Sequence, residues 1–496
     1  MDILKTVDIK AEELKARVLS APDLTPKKGA RVYYFAAAGD DSNDGLTPAT
    51  PFKTLEKASS LADKDNTELT YFLFNRGDIF RGQLNCGSNC VYAAWGEGDK
   101  PVITASPENG AGAEKWSLVE GSDNIWVYYK DMMDAGALFF ENGGYAVKRI
   151  PNIENGKYEF GMEILEDGQF MNGYTEEQAL RLNNSTAKEI TGPFYFRCDR
   201  GNPGEIYSSI EFADRIYCVN LPYHGEHITI DNLCVRNVGA HGVGGGFITD
   251  LLVQNCEIGN IGGGIQSYHK CSVDGLMIYG RYGNGVELHS CCNGYVVRNC
   301  WVHDVYDAGL TWQQGHNHSE ELVMGNIEFS DNLIERCIYS IEYFARRSAS
   351  TNVPAVNENI RLSGNIVRYA GHGFGTQRTL SYYEWNMATS IMGWHWSHNV
   401  RRGYFVIENN ILSHSTPSSP DRPLRQNTST LLITAEDKKY LPEMKGNTYI
   451  GLKDNQFAYY GKNIKSGPIP FVKAEDGLSA EELFGDKTGK IFMVEK

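Results

Sequence analysis

Residues 226–269 read EHITIDNLCVRNVGAHGVGGGFITDLLVQNCEIGNIGGGIQSYH, and the punctuation of this stretch decides the fold. Short alternating strands end at an asparagine followed by an apolar residue or a cysteine: Asn232 in DNLC, Asn255 in QNCE. The device recurs at Asn299 (RNCW), Asn332 (DNLI), Asn365 (GNIV) and Asn410 (NNIL), at intervals of 23, 44, 33, 33 and 45 residues. With a basic period near 22, the 44 reads as two coils, Leu276 filling the skipped position, and longer intervals carry inserted loops. About eight to ten residues after each asparagine a second strand begins, usually on a small residue. These strands are GVGGGF (242–247), GIQSYH (264–269), GVELHS (285–290), GLTWQQ (309–314), SIEYFA (340–345) and GFGTQR (373–378). Short strands with a turn asparagine at a fixed place predict a parallel β-helix, its asparagines hydrogen-bonded from coil to coil. A propeller needs a period of about 40 or more, and a doubly wound sheet needs long intervening helices that this sequence lacks.

Outward from the repeat, the chain divides unevenly. Residues 1–30 hold a short amphipathic helix (12–21) and serve as a cap; residues 31–106 alternate as the first coils, with a helix-like stretch at 52–62. Residues 107–225 show strands and aromatics without a period, an inserted β-rich module. Residues 226–450 form the main helix, and 451–496 a last coil or cap. The 496-residue length is too much for one ordinary core, but a solenoid grows by adding turns.

The charge balance of 47 basic against 62 acidic residues gives −15, which disfavours nucleic acid and anionic membranes as partners. No run of about 20 apolar residues is present to span a bilayer. The N-terminal residues lack an apolar signal core, so the sequence as written places the protein in the cytoplasm, or outside the cell if a signal has been trimmed. Eleven cysteines, an odd number with Cys291 and Cys292 adjacent, read as reduced and mostly buried thiols. Cys86 and Cys90 have zinc-like spacing but no second pair nearby, so no metal is assigned. GDDSNDG (39–45) is similar to part of a calcium loop; position 12 counted from Asp40 is Pro51 where glutamate is needed, and a turn is the better reading. No cofactor is expected, calcium being conceivable but unsupported. GVGGG (242–246) lacks the lysine of a phosphate loop and reads as room for a ligand.

YYFAAAGDDSNDGLTPATPFKTLEKA (33–58), FNRGDIFRG (74–82) and YAAWGEGDKPVITAS (92–106) resemble the opening coils of the pectate-lyase-like right-handed β-helix proteins. Many of these are glycoside hydrolases or polysaccharide lyases. The resemblance implies an all-β, right-handed parallel β-helix, with residues 116–215 as the β-rich insertion found in several of the hydrolases, and a carbohydrate substrate. It is weaker for activity, because this scaffold hosts many chemistries.

In each second strand the residue after the leading Gly or Ser is apolar and points inward: Val243, Ile265, Val286, Leu310, Ile341 and Phe374. The next residues point outward: Gly244, Gln266, Glu287, Thr311, Glu342 and Gly375. A second outward row holds Gly246, Tyr268, His289, Gln313, Phe344 and Gln377, and Asp307 lies four residues before Thr311. Acids, a histidine, amides and aromatics on one face suit sugar recognition. All 12 histidines fall between His224 and His414, and five of eight tryptophans fall in 301–396. Loops at 316–325, 346–358 and 379–398 would wall the face.

Glycoside hydrolysis needs two carboxyl groups. Coils stack about 4.8 Å apart, so Glu287 and Glu342, two coils apart, stand roughly 9.6 Å apart at the backbone. That is near the upper end of the inverting window of about 6.5–9.5 Å. The expected catalytic acids are two of Glu287, Asp307 and Glu342. Gln266, His289, Thr311, Gln313, His316, Gln377, Arg378 and Trp394 are expected at the sugar, with Trp312 as support behind them. The parallel-β-helix β-xylosidases carry their carboxylates at the outward row here occupied by His289, Gln313 and Phe344, so their residues do not transfer. A polysaccharide lyase is the alternative. It is disfavoured by the absence of any lysine between Lys270 and Lys438 and of a dense Asp cluster for calcium, although Arg346, Arg347 and Arg378 remain to grip a carboxylate. A non-catalytic glycan-binding β-helix is the third reading.

Overall fold

The alternation in these segments buries every second residue, and the strands it produces pair coil on coil. The structure is a computed structural model. It describes residues 2–495 apart from 142, 150–152, 155–156, 159–165, 183–189, 215–216, 271–276, 315–318, 346–352, 378–387, 396–398, 414–427 and 465–467. Among the described residues 26 strands join one sheet that winds as a right-handed parallel β-helix.

The wound sheet has three faces. One is built from Thr70–Asn75, Cys90–Trp95, Glu226–Asp231 and their successors to Asn399–Glu408. The second runs through Cys234–Val238, Glu257–Ile261, Ile366–Arg368 and Thr448–Leu452. The third carries the candidate site. Its inward column stacks Val219, Val243, Val286, Leu310, Ile341, Ile391 and Leu431 in direct register, each essentially sealed from solvent.

The expected asparagine column is two columns, offset by one residue. Asn232, Asn255, Asn299, Asp331, Gly364, Asn409 and Gly446 hold the left-handed turn position, with φ between 49° and 67°. Asparagine, aspartate and glycine tolerate that conformation best. The following position points into the core; there Cys256 and Cys300 precede Asn332, Asn365, Asn410 and Asn447, and the asparagines form a buried amide ladder that ends on Asp486. DNLC and DNLI look alike, yet Asn232 takes the turn position and Asn332 the inward one.

Two second strands are also placed differently. The 44-residue interval is one coil: Val243 pairs directly with Val286 and Asn299 donates to Asn255. Residues Gly264–Lys270 pair antiparallel with Met277–Tyr282 as an inserted hairpin. Alternation marks a two-faced strand without naming its partner. Leu276 lies outside the described residues. GFGTQR does not continue the column either; Phe374–Gln377 form a 3-10 turn, and Ala388–His395 pair with the strand of Glu342.

Helix α1 spans Ile3–Leu19, beginning nearer the N-terminus than expected, with Asp2 capping Leu4 N. It does not cap an end. Val7, Ala11 and Leu14 pack on Leu333, Ile366, Ile450 and Leu452, along the flank of the second face. Helix α2 (Leu55–Leu61) starts at Thr54, and Asp41 accepts from Lys53 N, Thr54 N and Thr54 Oγ1. The acids of GDDSNDG thus brace a turn and a helix start. No described helix is long and apolar enough to cross a membrane.

A separate seven-stranded sheet runs from Trp116–Leu118 to Ile210–Phe212 around Trp116, Phe170, Phe194, Phe196 and Phe212. Val219–Asn220 already belong to the wound sheet. Arg81 fixes this module to the first coils through a two-pronged pair with Glu211 at 2.8 and 2.9 Å.

Candidate active site

The outward column reads Asn220, Gly244, Glu287, Thr311, Glu342, Met392, Leu432 and Tyr459. The polar part is short. Met392 and Leu432 are buried with Ala308, Ile338 and Tyr339 beneath Tyr459, Ile469 and Phe471, which closes the column toward the C-terminal coils. Toward the N-terminus Gly244 is covered by Tyr217 and His241.

Glu287 is 6% exposed, and polar groups meet its carboxylate. Its Oε2 accepts from Asn284 Nδ2 and stands 2.7 Å from His241 Nδ1. The backbone N–H of Asn284 points at the same ring nitrogen at 3.1 Å, and its Oδ1 accepts from Ala308 N at 2.9 Å. Burial raises the Glu287 pKa, but His241, Asn284 and the nearby His289 outweigh it and hold the carboxyl below the usual range. Glu287 is therefore a carboxylate at neutral pH.

One row outward, His289 aligns with Gly246 on one side and with Gln313 on the other. The glycines of GVGGG do not leave open space for a ligand. A Cβ on Gly246 would sit 2.4 Å from the His289 ring, and one on Gly245 would meet Leu221. Burial pushes the His289 pKa down, so the imidazole is neutral at pH 7; Ser290 Oγ lies 3.0 Å from its Nδ1.

Glu342 is half-buried, with Gln313 Nε2 donating to its Oε2 at 3.0 Å and Thr311 Oγ1 at 3.5 Å. It sits two rungs from Glu287, with Thr311 between, in the register the sequence predicts. Asp307 occupies a bulge in which Tyr306 and Asp307 stand opposite the single residue Ile338. Its side chain is buried at the edge of the face, and its backbone N–H donates to Gly283 O. The bulge sends Tyr306 against Phe139 and Phe374, so the inserted module abuts the turn that presents Asp307.

The remaining expected residues scatter. Trp312 cannot touch a ligand. It is wholly buried, stacked on Tyr343 at 4.8 Å, with Nε1 donating to Asn357 Oδ1. Gln266 projects from the inserted hairpin instead of the column. Gln377 Oε1 accepts from the module's Lys148 N at 2.9 Å, making it a strut between module and helix. Trp394 follows Phe344 in the outer row by backbone register, its side chain lying outside the described residues together with His316 and Arg378. Of the loops expected to wall the face, the described parts are 319–325 and 353–358, which run into the strands of the first face, and Ala388–His395, which is itself a strand of the third face.

The sequence reading missed His241 and Asn284. Both occupy the turn position two residues ahead of the inward residue, where the register stacks Tyr217, His241, Asn284, Ala308 and Tyr339. Reading that position along the aligned strands would have found them. Tyr217 and Tyr282 box the His241 ring at 5.2 and 5.1 Å.

No family model matches the sequence, and no curated protein matches it. Solved structures do. A xylose complex of XylC is 12% identical over 87% of this chain and 70% of that one, with a TM-score of 0.45. A structure titled glycoside hydrolase is 10% identical over 94% and 96%, TM-score 0.44. Pectate lyase Pel9A is 11% identical over 94% and 86%, TM-score 0.35. The likeness is one of fold. By its own strand pairing this chain is a right-handed parallel β-helix.

Proposed function

We propose that the protein hydrolyses a glycosidic bond on its third face, with Glu287 and Glu342 as the working carboxyl pair. The observation that carries this is their shared column, two rungs apart, in a polar strip bounded on both sides. Glu287, kept ionised by His241 and Asn284, is suited to take a proton from water. Glu342, which receives the Gln313 amide and faces the Thr311 hydroxyl, is placed to protonate the leaving oxygen. A backbone separation of roughly 9.6 Å leaves room for a water and implies inversion at the anomeric carbon. Gln313 and His289 border the space between the acids and orient hydroxyls there. Asp307, at the bulge, is the reserve acid if the Glu342 carboxyl turns toward the turn.

The test is turnover of Glu287→Gln, Glu342→Gln and Asp307→Asn on whichever member of a panel of aryl glycosides and oligosaccharides the wild type cleaves. Loss of a true proton-transfer residue costs at least ~10²-fold in kcat. Three variants with near wild-type turnover refute the assignment. The neutral His289 beside Glu287 is the observation favouring a lyase. Release of an unsaturated uronate from polygalacturonate or alginate, read by its ultraviolet absorbance, would decide for elimination.

A further inference from the structure

Past Gly246, the register partner of His289, lie three aromatic rings that the hydrolytic reading does not use. Tyr223, His224 and Phe247 meet pairwise at centroid distances of 4.5, 4.9 and 4.8 Å. They do not form a core: Tyr223 is 60% exposed and His224 is exposed. The backbone beneath them is specialised. Tyr223 and His224 are the central residues of a tight turn closed by Gly225 N donating to Pro222 O, with His224 at φ 63°. Phe247 sits at φ 57°, a region that bulky side chains rarely adopt. Strain of this kind persists where the surroundings impose it, and it collects at ligand sites. Here it aims an apolar ring outward between Gly246 and the buried Ile248.

The position ties the cluster to the catalytic strip. Phe247 follows Gly246, which is in register with His289, and Gly244 is in register with Glu287. Three residues along the strand and one rung across give about 11 Å from Glu287 to Phe247 at the backbone. That is the reach of a short oligosaccharide, not of a single sugar. Aromatic faces are attracted to the C–H face of a pyranose as they are to one another. We infer that Tyr223, His224 and Phe247 form a distal subsite that stacks a pyranose ring of an oligosaccharide whose scissile bond lies at Glu287. This rests on the hydrolytic reading for its direction, though not for the ring binding itself.

Two variants test it, Tyr223→Ala and Phe247→Asn. Asparagine tolerates the left-handed backbone better than phenylalanine, so Phe247→Asn should raise the thermal midpoint while removing the ring. A purely structural ring would instead lower it. The kcat/KM ratio between the longest and shortest cleaved oligosaccharide of a series should fall about tenfold in each variant, by weakened stacking. Retardation of Glu287→Gln in native gels containing xylan, galactan or polygalacturonate is the second readout, and adding either ring change should abolish it. Wild-type cleavage with an unchanged chain-length ratio refutes the subsite and leaves hydrolysis standing. Retardation lost on ring removal, in a protein that cleaves nothing, refutes hydrolysis and leaves the subsite. A wild type that neither cleaves nor is retarded overturns both.

Discussion

Replacing Asn365 by leucine keeps the branching of a fully buried side chain and removes the central link of the amide ladder. Its Oδ1 accepts from both the backbone N–H and the Nδ2 of Asn332, and its own Nδ2 donates to Phe329 O and Asn410 Oδ1. Asn410 Oδ1 still receives the Asn365 backbone N–H, and Asn332 Nδ2 keeps Val297 O. Two buried polar groups are left unsatisfied, the Asn332 N–H and one Asn332 amide hydrogen, while Phe329 C=O keeps the ladder N–H of Ser363. At about 1–3 kcal/mol each, the loss is about 2–6 kcal/mol, a large part of the whole stability of many domains. The control is Asn299→Leu in the neighbouring, half-exposed turn column. There the cost is mainly the left-handed backbone at φ 49°, about 1–2 kcal/mol. Urea unfolding followed by far-ultraviolet circular dichroism measures both. A loss below about 1 kcal/mol for Asn365→Leu, or one equal to that of Asn299→Leu, would refute the claim that the inward ladder holds the coils together.

Trp312→Ala should cost about 3–5 kcal/mol, because it empties the stack on Tyr343 and removes the indole hydrogen bond to Asn357 Oδ1; a shift of the urea midpoint measures it. Gly246→Ala should lower kcat about tenfold, equivalent to about 1.4 kcal/mol, by driving the His289 ring from its place, and unchanged kinetics would show that His289 has no part in turnover. Glu257 is buried, which raises its pKa, but His303 and Arg236 hold it at about 2 against an ordinary 4.5. A depressed carboxylate stabilises the fold fully above its unfolded pKa and loses that contribution as pH falls from about 4.5 through 2, here about 3 kcal/mol. Glu257→Gln should therefore flatten stability against pH across that window, as measured by thermal unfolding in a pH series.

The coil repeat and the outward column were legible because a buried strand writes its period of two in the residue types. Val286, Leu310 and Ile341 announce the inward positions, and Glu287, Thr311 and Glu342 follow by parity. Partner choice was not legible. The hairpin at 264–282 alternates as a coil strand would, and only the pairing of Val243 with Val286 shows that the chain leaves the helix and returns. The asparagines misled for a related reason: one residue type serves both a left-handed turn and an inward amide ladder, a single position apart. His241 and Asn284 were hidden because they sit in the turn, where parity no longer applies and only stacked register brings them onto Glu287.

Helix α1 binds the flank through Arg368, which pairs with Asp8 and Glu12 at 3.0 and 2.7 Å, and through Lys15 over the Trp301 ring. The Arg368 pairs join residues separated by more than 350 positions. A solenoid otherwise needs only its neighbouring coil, so each turn can set as soon as it leaves the ribosome. The first helix made is here the exception. Its apolar stripe of Val7, Ala11 and Leu14 has no complete docking surface until Leu333, then Ile366 and finally Leu452 have been synthesised. During translation that stripe is the segment in search of a shield, and its docking is a late seal on a body that has already wound.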